Sequence, residues 1–528
     1  MDMREQQVPR HLGAKKGATE MTGQDGLSRR QFLQTAGITA VAGPQIVSRP
    51  AARRPNLLFL WTDEQRADTM AAYGNTRIKT PNLNKLVAES AVFANAYVSQ
   101  PVCTPSRMTA MTGLWPHQTP CTTNNVPLPA ATRCLPELLN YPDYRTGYMG
   151  KWHLGDEIFA QHGFEEWVSI EDGYRSHYSG GRDGKSSYWH FLNELGYKPD
   201  EKDRYSRSFA AHLPIEHCKP KFLETRATDF LQRHQRDPFI LSVNFLEPHM
   251  PYYGPLNDLH DSAALDLPPN FDDPLEENEP LRYQLLRQKY IEQGSTDQDL
   301  HTEAGWRRIM ANYWGLVSQV DRSVGAILEE LEKLGLADNT IVVYTSDHGD
   351  MMGSHRLLAK TVMYEESVRV PWLMRIPQLR GRSGALPGRY SHIDLVPTLL
   401  DLMGAAPGDL PGRSLAPVLR GERSAEGDVF IQWNGAEGEL TSNLPGVTPQ
   451  DVDRVKDAPI RTVITQDGWK LCLCERDRSQ LFDLNTDSYE TRNIYGEKSH
   501  ADRVRDLSGR IRVWQKTVKD EVKVQTEA

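Results

Sequence analysis

Cysteine is scarce in this chain of 528 residues: there are six, Cys103, Cys121, Cys134, Cys218, Cys472 and Cys474. That is too few for a disulfide framework, so the fold must rest on its core, with room for one or two bridges. Positive charge is not in excess either. Lys plus Arg number 61 against 70 Asp plus Glu, for a formal charge of -9. No global field therefore draws the protein to nucleic acid or anionic lipid, and an anionic ligand has to be held by locally placed cations. Beyond the N-terminal leader no apolar run is long enough to span a bilayer, so no membrane span is expected in the mature protein. Hydrophobic residues make up only 39%, while Gly and Pro number 39 and 34. That balance implies long ordered loops over a compact core rather than disorder. Internal repeats and low-complexity tracts are absent too.

The leader is more informative. Ser28-Arg29-Arg30-Gln31-Phe32-Leu33 sets a twin arginine before a modestly apolar stretch, Phe32 to Val47, and Ala40-Val41-Ala42 offers small residues at cleavage-like spacing. Residues 1–50 read as a Tat-type export signal with its linker, which predicts passage through the Tat export machinery to a periplasmic or secreted location.

From there apolar runs alternate with helical patterns. The run Asn56 to Trp61 ends at Thr62-Asp63-Glu64; Thr146 to Gly150 runs into Lys151-Trp152-His153; Phe239 to Phe245 into Glu247-Pro248-His249; Thr340 to Thr345 into Ser346-Asp347-His348-Gly349. Helical patterns lie between them, as in Pro81 to Ala96, Ala304 to Leu334 and Ile393 to Met403. The alternation predicts an α/β fold with a mostly parallel sheet flanked by helices over residues 51–410. Ligands in such sheets bind at the carboxyl ends of the strands, so the four polar strand ends should converge on one cleft. After Pro411-Gly412 the pattern becomes short strand-like runs, Asp428 to Trp433, Ile460 to Thr465, Trp469 to Cys474 and Gln480 to Leu484, then a charged helix from about Ser499. Residues 411–528 are expected to form a smaller antiparallel sheet with one helix. The acidic segment from Gly254 to Asp299 is expected to be a surface insertion near the cleft mouth.

The sharpest motif is Cys103-Thr104-Pro105-Ser106-Arg107-Met108-Thr109-Ala110-Met111-Thr112-Gly113. It predicts a helix start, with Thr104 as cap, Pro105 in the first turn and Gly113 as stop, so that a group at Cys103 sits where anions are favoured. The motif resembles the sulfatase signature, Cys-x-Pro-Ser-Arg followed by four residues and Thr-Gly, at every fixed position. Six specified residues make a chance match on the order of one in a hundred thousand, which sets aside a merely structural cysteine. Gly150-Lys151-Trp152-His153-Leu154-Gly155, Glu247-Pro248-His249-Met250-Pro251 and Leu358-Ala359-Lys360-Thr361 resemble further sulfatase segments, and the similarity runs from Pro55 to Asn493.

The resemblance implies an alkaline-phosphatase-like fold and hydrolysis of sulfate esters. It also implies a nucleophile, formylglycine (3-oxoalanine), made from Cys103 by a formylglycine-generating enzyme. Asp63 with Glu64 and Asp347 with His348 are strand-end groups able to offer a divalent cation hard ligands beside Cys103. By resemblance that cation is Ca2+, bound also by the formylglycine at position 103, which it activates, with Glu64 standing where the family more usually has aspartate. Arg107, Lys151 and Lys360 suit stabilisation of an anionic transition state. His249 is the candidate general acid for the leaving alcohol and His153 the candidate contact to the nucleophile, two roles that can be exchanged. His355 is read as either a cleft residue or a structural one. Trp152, Trp167, Tyr174, Tyr178, Trp189, Tyr252 and Tyr253 are candidates for stacking on a sulfated carbohydrate. The competing readings are a phosphonate or phosphate diester hydrolase of the same superfamily and a catalytically silent secreted binding protein.

Overall fold

Every residue of Asn56–Asp63 (β1) is buried, and the period of two sorts its side chains into two layers. Leu57, Phe59 and Trp61 join one apolar core with Ile240, Ile341 and Val343, whereas Leu58 and Leu60 join another with Leu241, Val243, Val342 and Tyr344. A strand apolar on both faces belongs inside a parallel sheet covered by helices on each side.

The computed structural model describes residues 54–173, 184–275, 278–379, 381–435 and 439–524. The twin-arginine segment, its cleavage-like site, Tyr174 and Tyr178 lie outside the described residues. The other strands are Ala91–Tyr97 (β2), Arg145–Gly150 (β3), Glu166–Val168 (β4), Phe239–Pro248 (β5), Thr340–Ser346 (β6), Arg369–Val370 (β7), Trp372–Arg375 (β8), Gly384–Ser391 (β9), Val429–Trp433 (β10), Ile460–Ile464 (β11), Trp469–Cys474 (β12) and Gln480–Asp483 (β13). Among the described residues the main sheet runs β4-β3-β5-β1-β6-β8-β2-β7, with β9 beside β2. The fold is therefore mixed α/β with a mostly parallel main sheet. β3, β5, β1 and β6 are successive parallel neighbours, with Leu57 opposite both Ile240 and Ile341. Their carboxyl ends thus share one edge, the place the sequence assigns to the cleft.

Helices cover both faces. Phe222, Leu223 and Phe230 of Lys219–Arg233, with Val320, Val324 and Ile327 of Glu303–Lys333, fill one layer. Met108 and Met111 of Cys103–Thr112, with Leu395, Val396 and Leu399 of Leu395–Leu402, fill the other. The second sheet is antiparallel in the order β10-β11-β12-β13. One face receives Val504, Leu507 and Ile511 of the helix Ala501–Val518. The other shares a core with Tyr97, Val102, Met363 and Val368, so it leans on the same region that carries the Cys103 motif.

Two expectations need correction, and the one or two bridges that the cysteine count left room for are not formed. The helix beginning at Pro81 stops at Ala88, and β2 starts at Ala91. Pairing with β8 and β9 captures Ala91–Tyr97, a case of tertiary context overriding local pattern. The segment from Gly254 to Asp299 is not confined to the surface, for it contains the helix Leu281–Gln293, where Arg282, Tyr283, Leu285 and Leu286 are buried. Finally, all six cysteines are free and buried.

Candidate active site

Helix Cys103–Thr112 is buried along its whole length and ends on Gly113 at φ 72°, whose N–H bonds the Thr109 carbonyl. The residue before it, extended Val102, holds the cap position without a side-chain bond. Thr104 is therefore not the cap. Its hydroxyl donates to the His153 carbonyl at 2.8 Å and accepts from the Asn125 N–H at 3.2 Å, tying the helix to the turn after β3. Pro105 falls within the first turn, where no backbone donor is needed.

Four elements close around Cys103. Its Sγ lies 3.2 Å from His348 Nε2, 3.7 Å from Asp63 Oδ1 and 3.8 Å from Lys151 Nζ. His348 Nδ1 donates to the Gly349 carbonyl at 2.9 Å, which leaves Nε2 as the lone-pair side facing the thiol. Arg107 Nη2 donates to Asp63 Oδ2 at 2.8 Å and forms an ion pair of equal length with Asp347 Oδ2. Its Nη1 reaches the Lys151 carbonyl and Asn244 Oδ1, each at 2.8 Å. Lys151 Nζ donates to Asp63 Oδ2 at 2.5 Å. Lys151 enters the site because β3 turns at Gly150, φ +115°, where a Cβ would stand 1.8 Å from the Asn244 carbonyl oxygen; only glycine fits.

Burial sets the electrostatics. Alone it would lift the Asp63 carboxyl, yet Lys151 and Arg107 hold that group well below the usual carboxylate range. Burial also raises the Cys103 thiol, helped by Asp63 and opposed by Lys151. The unmodified thiol is thus a poor thiolate source despite its helix start.

A second cluster adjoins the first. Lys360 Nζ is 3.3 Å from Glu64 Oε2 and 3.2 Å from His249 Nε2, and that nitrogen lies 3.4 Å from Glu64 Oε2. His249 Nδ1 donates to the Met250 carbonyl at 2.8 Å, with Arg207 Nη1 3.4 Å away. Burial and the Lys360 charge push the His249 imidazole well below its usual range, while burial lifts the Glu64 carboxyl against Lys360. His153, at φ 58°, bonds Asn125 Oδ1 through Nε2 at 2.9 Å. Its N–H and that of Trp152 both go to the Glu157 carboxylate, at 2.5 Å and 3.0 Å.

The acidic groups fit a hard cation. Asp63, Cys103, Asp347 and His348 present ligand atoms within 4.8 Å of one another, as do Asp63, Glu64 and His249. Among the described residues Glu64 Oε1 is buried and accepts no hydrogen bond, and Asp347 Oδ2 has only its ion pair with Arg107. Buried acceptors left over next to three cations are what oxygen ligands to a divalent ion require. Glu64 sits in the group with His249, its backbone N–H donating to Asp347 Oδ1 at 3.0 Å.

Every predicted site residue thus reaches this edge, whereas several predicted sugar platforms do not. Trp152 is fully buried and lies edge-on to Tyr148 at 5.0 Å, and Tyr252 spends its hydroxyl on Asp350 Oδ2 at 2.5 Å. His355 is structural: it is buried, bonded through Nδ1 to Asp273 Oδ2 at 2.5 Å, and stacked on Tyr364. Sequence reasoning missed Asn244, Asn125, Glu157 and Arg207. Asn244 had a signal, a buried amide in a mostly apolar strand; the others depend on long-range contacts.

The family model described as Sulfatase matches residues 55–405. The chain is 30% identical over 467 residues to the uncharacterized sulfatase YidJ of Escherichia coli (strain K12), covering 85% of each. It is 27% identical to the N-acetylglucosamine-6-O-sulfatase of Bacteroides thetaiotaomicron, covering 92% of this chain and 90% of that one. A solved structure in complex with its substrate D-glucosamine-2-N,6-O-disulfate superposes with a TM-score of 0.71 at 25% identity, covering 89% of this chain and 99% of that one. The phosphonate monoester hydrolase from Silicibacter pomeroyi shares the fold, with a TM-score of 0.74 at 22% identity over 90% of this chain and 100% of that one. The family match takes in Cys103, both strand-end acid pairs and all three cations, so this chain belongs to the sulfatase family and is a sulfuric ester hydrolase.

Proposed function

We propose that this enzyme removes sulfate from a sulfated carbohydrate, through a formylglycine made from Cys103 and a calcium ion held by Asp63, Asp347 and His348 with Glu64 beside them. The catalytic domain is residues 51–410, with 411–528 as the smaller one, and export by the Tat route sets it to work in the periplasm or outside the cell. The observation that carries the reading is the enclosure of Cys103 Sγ by His348, Asp63 and Lys151 within 3.8 Å at a helix start. The relative named for N-acetylglucosamine 6-O-sulfate and the neighbour bound to a sulfated glucosamine support a sugar substrate.

A formylglycine at position 103, once hydrated, would supply a geminal diol as the nucleophile for the sulfate ester. A calcium ion held by Asp63, Asp347 and His348 would supply positive charge to the reacting anion. The chain's own groups do the rest. Arg107 and Lys151 fix the Asp63 carboxylate and add positive charge where the sulfuryl oxygens gather it. Lys360 Nζ and His249 Nε2, 3.2 Å apart, share a proton that either can deliver to the leaving oxygen. The Met250 carbonyl holds His249 Nδ1–H and so keeps Nε2 turned inward. His153, held by Glu157 and Asn125, borders the nucleophile's helix and suits the return of its proton.

The decisive experiment is the intact mass of the Cys103 peptide after co-expression with a formylglycine-generating enzyme. The expected result is the loss corresponding to thiol replaced by aldehyde; an unchanged thiol would sink the mechanism. Faster turnover of an aryl phosphonate than of an aryl sulfate would overturn the substrate class.

A further inference from the structure

Lys360 stands in an uneconomical piece of backbone. Ala359 and Thr361 on either side have φ of 58° and 79°, and Met352, His355 and Arg356 earlier in the loop are also left-handed. Such a conformation is unfavourable for any L-residue with a side chain, and most of all for β-branched Thr361, so something must impose it. The loop's first half is held from within, by Asp350 Oδ1 accepting from Met352 N at 2.8 Å and Ala359 N at 3.0 Å. The second half is held from outside. Arg282 Nη1 donates to the Thr361 carbonyl at 2.5 Å and Nη2 to Thr361 Oγ1 at 2.9 Å. Next along, the Tyr283 hydroxyl accepts from Met363 N at 2.9 Å.

Arg282 is itself fixed on three sides. It is 2% exposed, its guanidinium carbon lies 4.4 Å from the centroid of the Trp433 ring in β10, and its backbone N–H donates to Asp477 Oδ2 at 3.0 Å. A planar two-pronged donor stacked on an aromatic ring cannot be replaced by the point charge of lysine. Through Arg282, stacked on Trp433 of the second sheet, the helix Leu281–Gln293 thereby holds the residue that follows Lys360.

We propose that Arg282 is a positioning residue for the sulfatase reaction, clamping the strained Thr361 peptide so that Lys360 Nζ stays between His249 and Glu64. The proposal rests on the role given to Lys360 above, and the test separates the two. Activity is measured toward an aryl sulfate, per formylglycine determined by mass. Arg282→Met should lower kcat about 100-fold with KM within about threefold of the parent, as expected for misplacing a group that acts on the transition state. Thr361→Ala, which keeps the carbonyl contact, should cost about fivefold in kcat, the value of one hydrogen bond. In a Lys360→Ala background both substitutions should cost under about twofold more, because two residues acting through one group are not additive. Gln288→Ala, farther along the same helix where its amide donates to Glu292 at 2.8 Å and touches neither Arg282 nor Thr361, should leave kcat unchanged. Should Arg282→Met fail to fold, Thr361→Ala carries the same comparison. If the losses multiply in the double variants, or if kcat is untouched in the single ones, the positioning role is wrong while Lys360 stands. If Lys360→Ala itself keeps full kcat, the reading of Lys360 falls and the clamp falls with it.

Discussion

Among the described residues two clusters bring cysteine, carboxylate and histidine within 4.8 Å of one another, and one of them is built to react. Around Cys103, the Asp63 and Asp347 carboxylates are completely buried, two cations, Arg107 and Lys151, ion-pair with them, and the neighbouring Glu64 Oε1 is left without a hydrogen bond. Around Cys134, everything has a local use. Glu137 Oε2 accepts from Cys134 N at 2.9 Å to cap the short helix Leu135–Leu139, and His162 Nδ1 donates to the Thr132 carbonyl at 3.1 Å. Residue types do not make a site; leftover bonding capacity in a buried, charged setting does. The second cluster lies one ring away from the first, since the His162 ring is 5.7 Å from that of Trp152, the residue after Lys151.

The largest expected difference is catalytic. Cys103→Ala should reduce aryl sulfate turnover by about 10⁴-fold or more, as loss of a nucleophile does, measured as initial rate per folded enzyme. A residual rate near the parent's would erase the contrast between the clusters. Next comes metal removal. A chelator should lower the melting temperature, and calcium should restore it, since a ligand at about 100 times its Kd contributes about 2.7 kcal/mol to the folded state. Asp347→Ala should abolish that response, and Glu137→Gln should leave it intact. Equal responses in both variants would mean that the wrong carboxylates have been assigned.

A third cluster shows what full compensation looks like. The Glu171 carboxylate receives Arg207 at 2.6 Å and Lys219 as well. Burial alone would raise this carboxyl, but the two cations outweigh it and bring it down to about 2 from an ordinary 4.5. A depressed carboxylate stabilises the fold fully above its unfolded value and loses that contribution as pH falls from about 4.5 toward 2. The loss amounts to about 3 kcal/mol. Urea unfolding of the parent should weaken through that window, and Glu171→Gln should flatten the limb; an unchanged slope would show that the pair is not what protects the fold against acid.

Much of the active edge was legible because its parts are local. Each of the four central strands announces itself by a buried apolar run and ends in its functional residues, so Asp63, Lys151, His249 and Asp347 could be placed before any coordinates. Helix Cys103–Thr112 was equally readable from its Pro105 and Gly113. What failed was decided at long range. Ala91–Tyr97 is ambiguous alone, and its strand state is set by partners nearly 300 residues away. Arg282 lies in the segment expected at the surface, because Thr361 and Trp433, which bury it, stand far along the chain. Trp152 and Tyr252 were read as sugar platforms on residue type, yet the core claims both. Local pattern carries element type and strand-end chemistry; it carries nothing about which distant group satisfies a buried charge.

The smallest expected effect tests the quiet member of the pair. Cys134 is fully buried in the same apolar core as Trp152 and Leu135, and burial lifts its thiol well above the ordinary range. Neither state offers a ready thiolate ligand. Cys134→Ala should therefore cost about 1–2 kcal/mol of stability, the price of a small buried side chain, while kcat per modified enzyme remains that of the parent. Zinc is the sharper probe, being the ion such a donor set would attract. Thermal melts with and without it should coincide in the parent and in Cys134→Ala. A stabilisation by zinc that disappears with Cys134 would show bonding capacity that the capping contacts do not use, and would turn the structural cluster into a second metal centre.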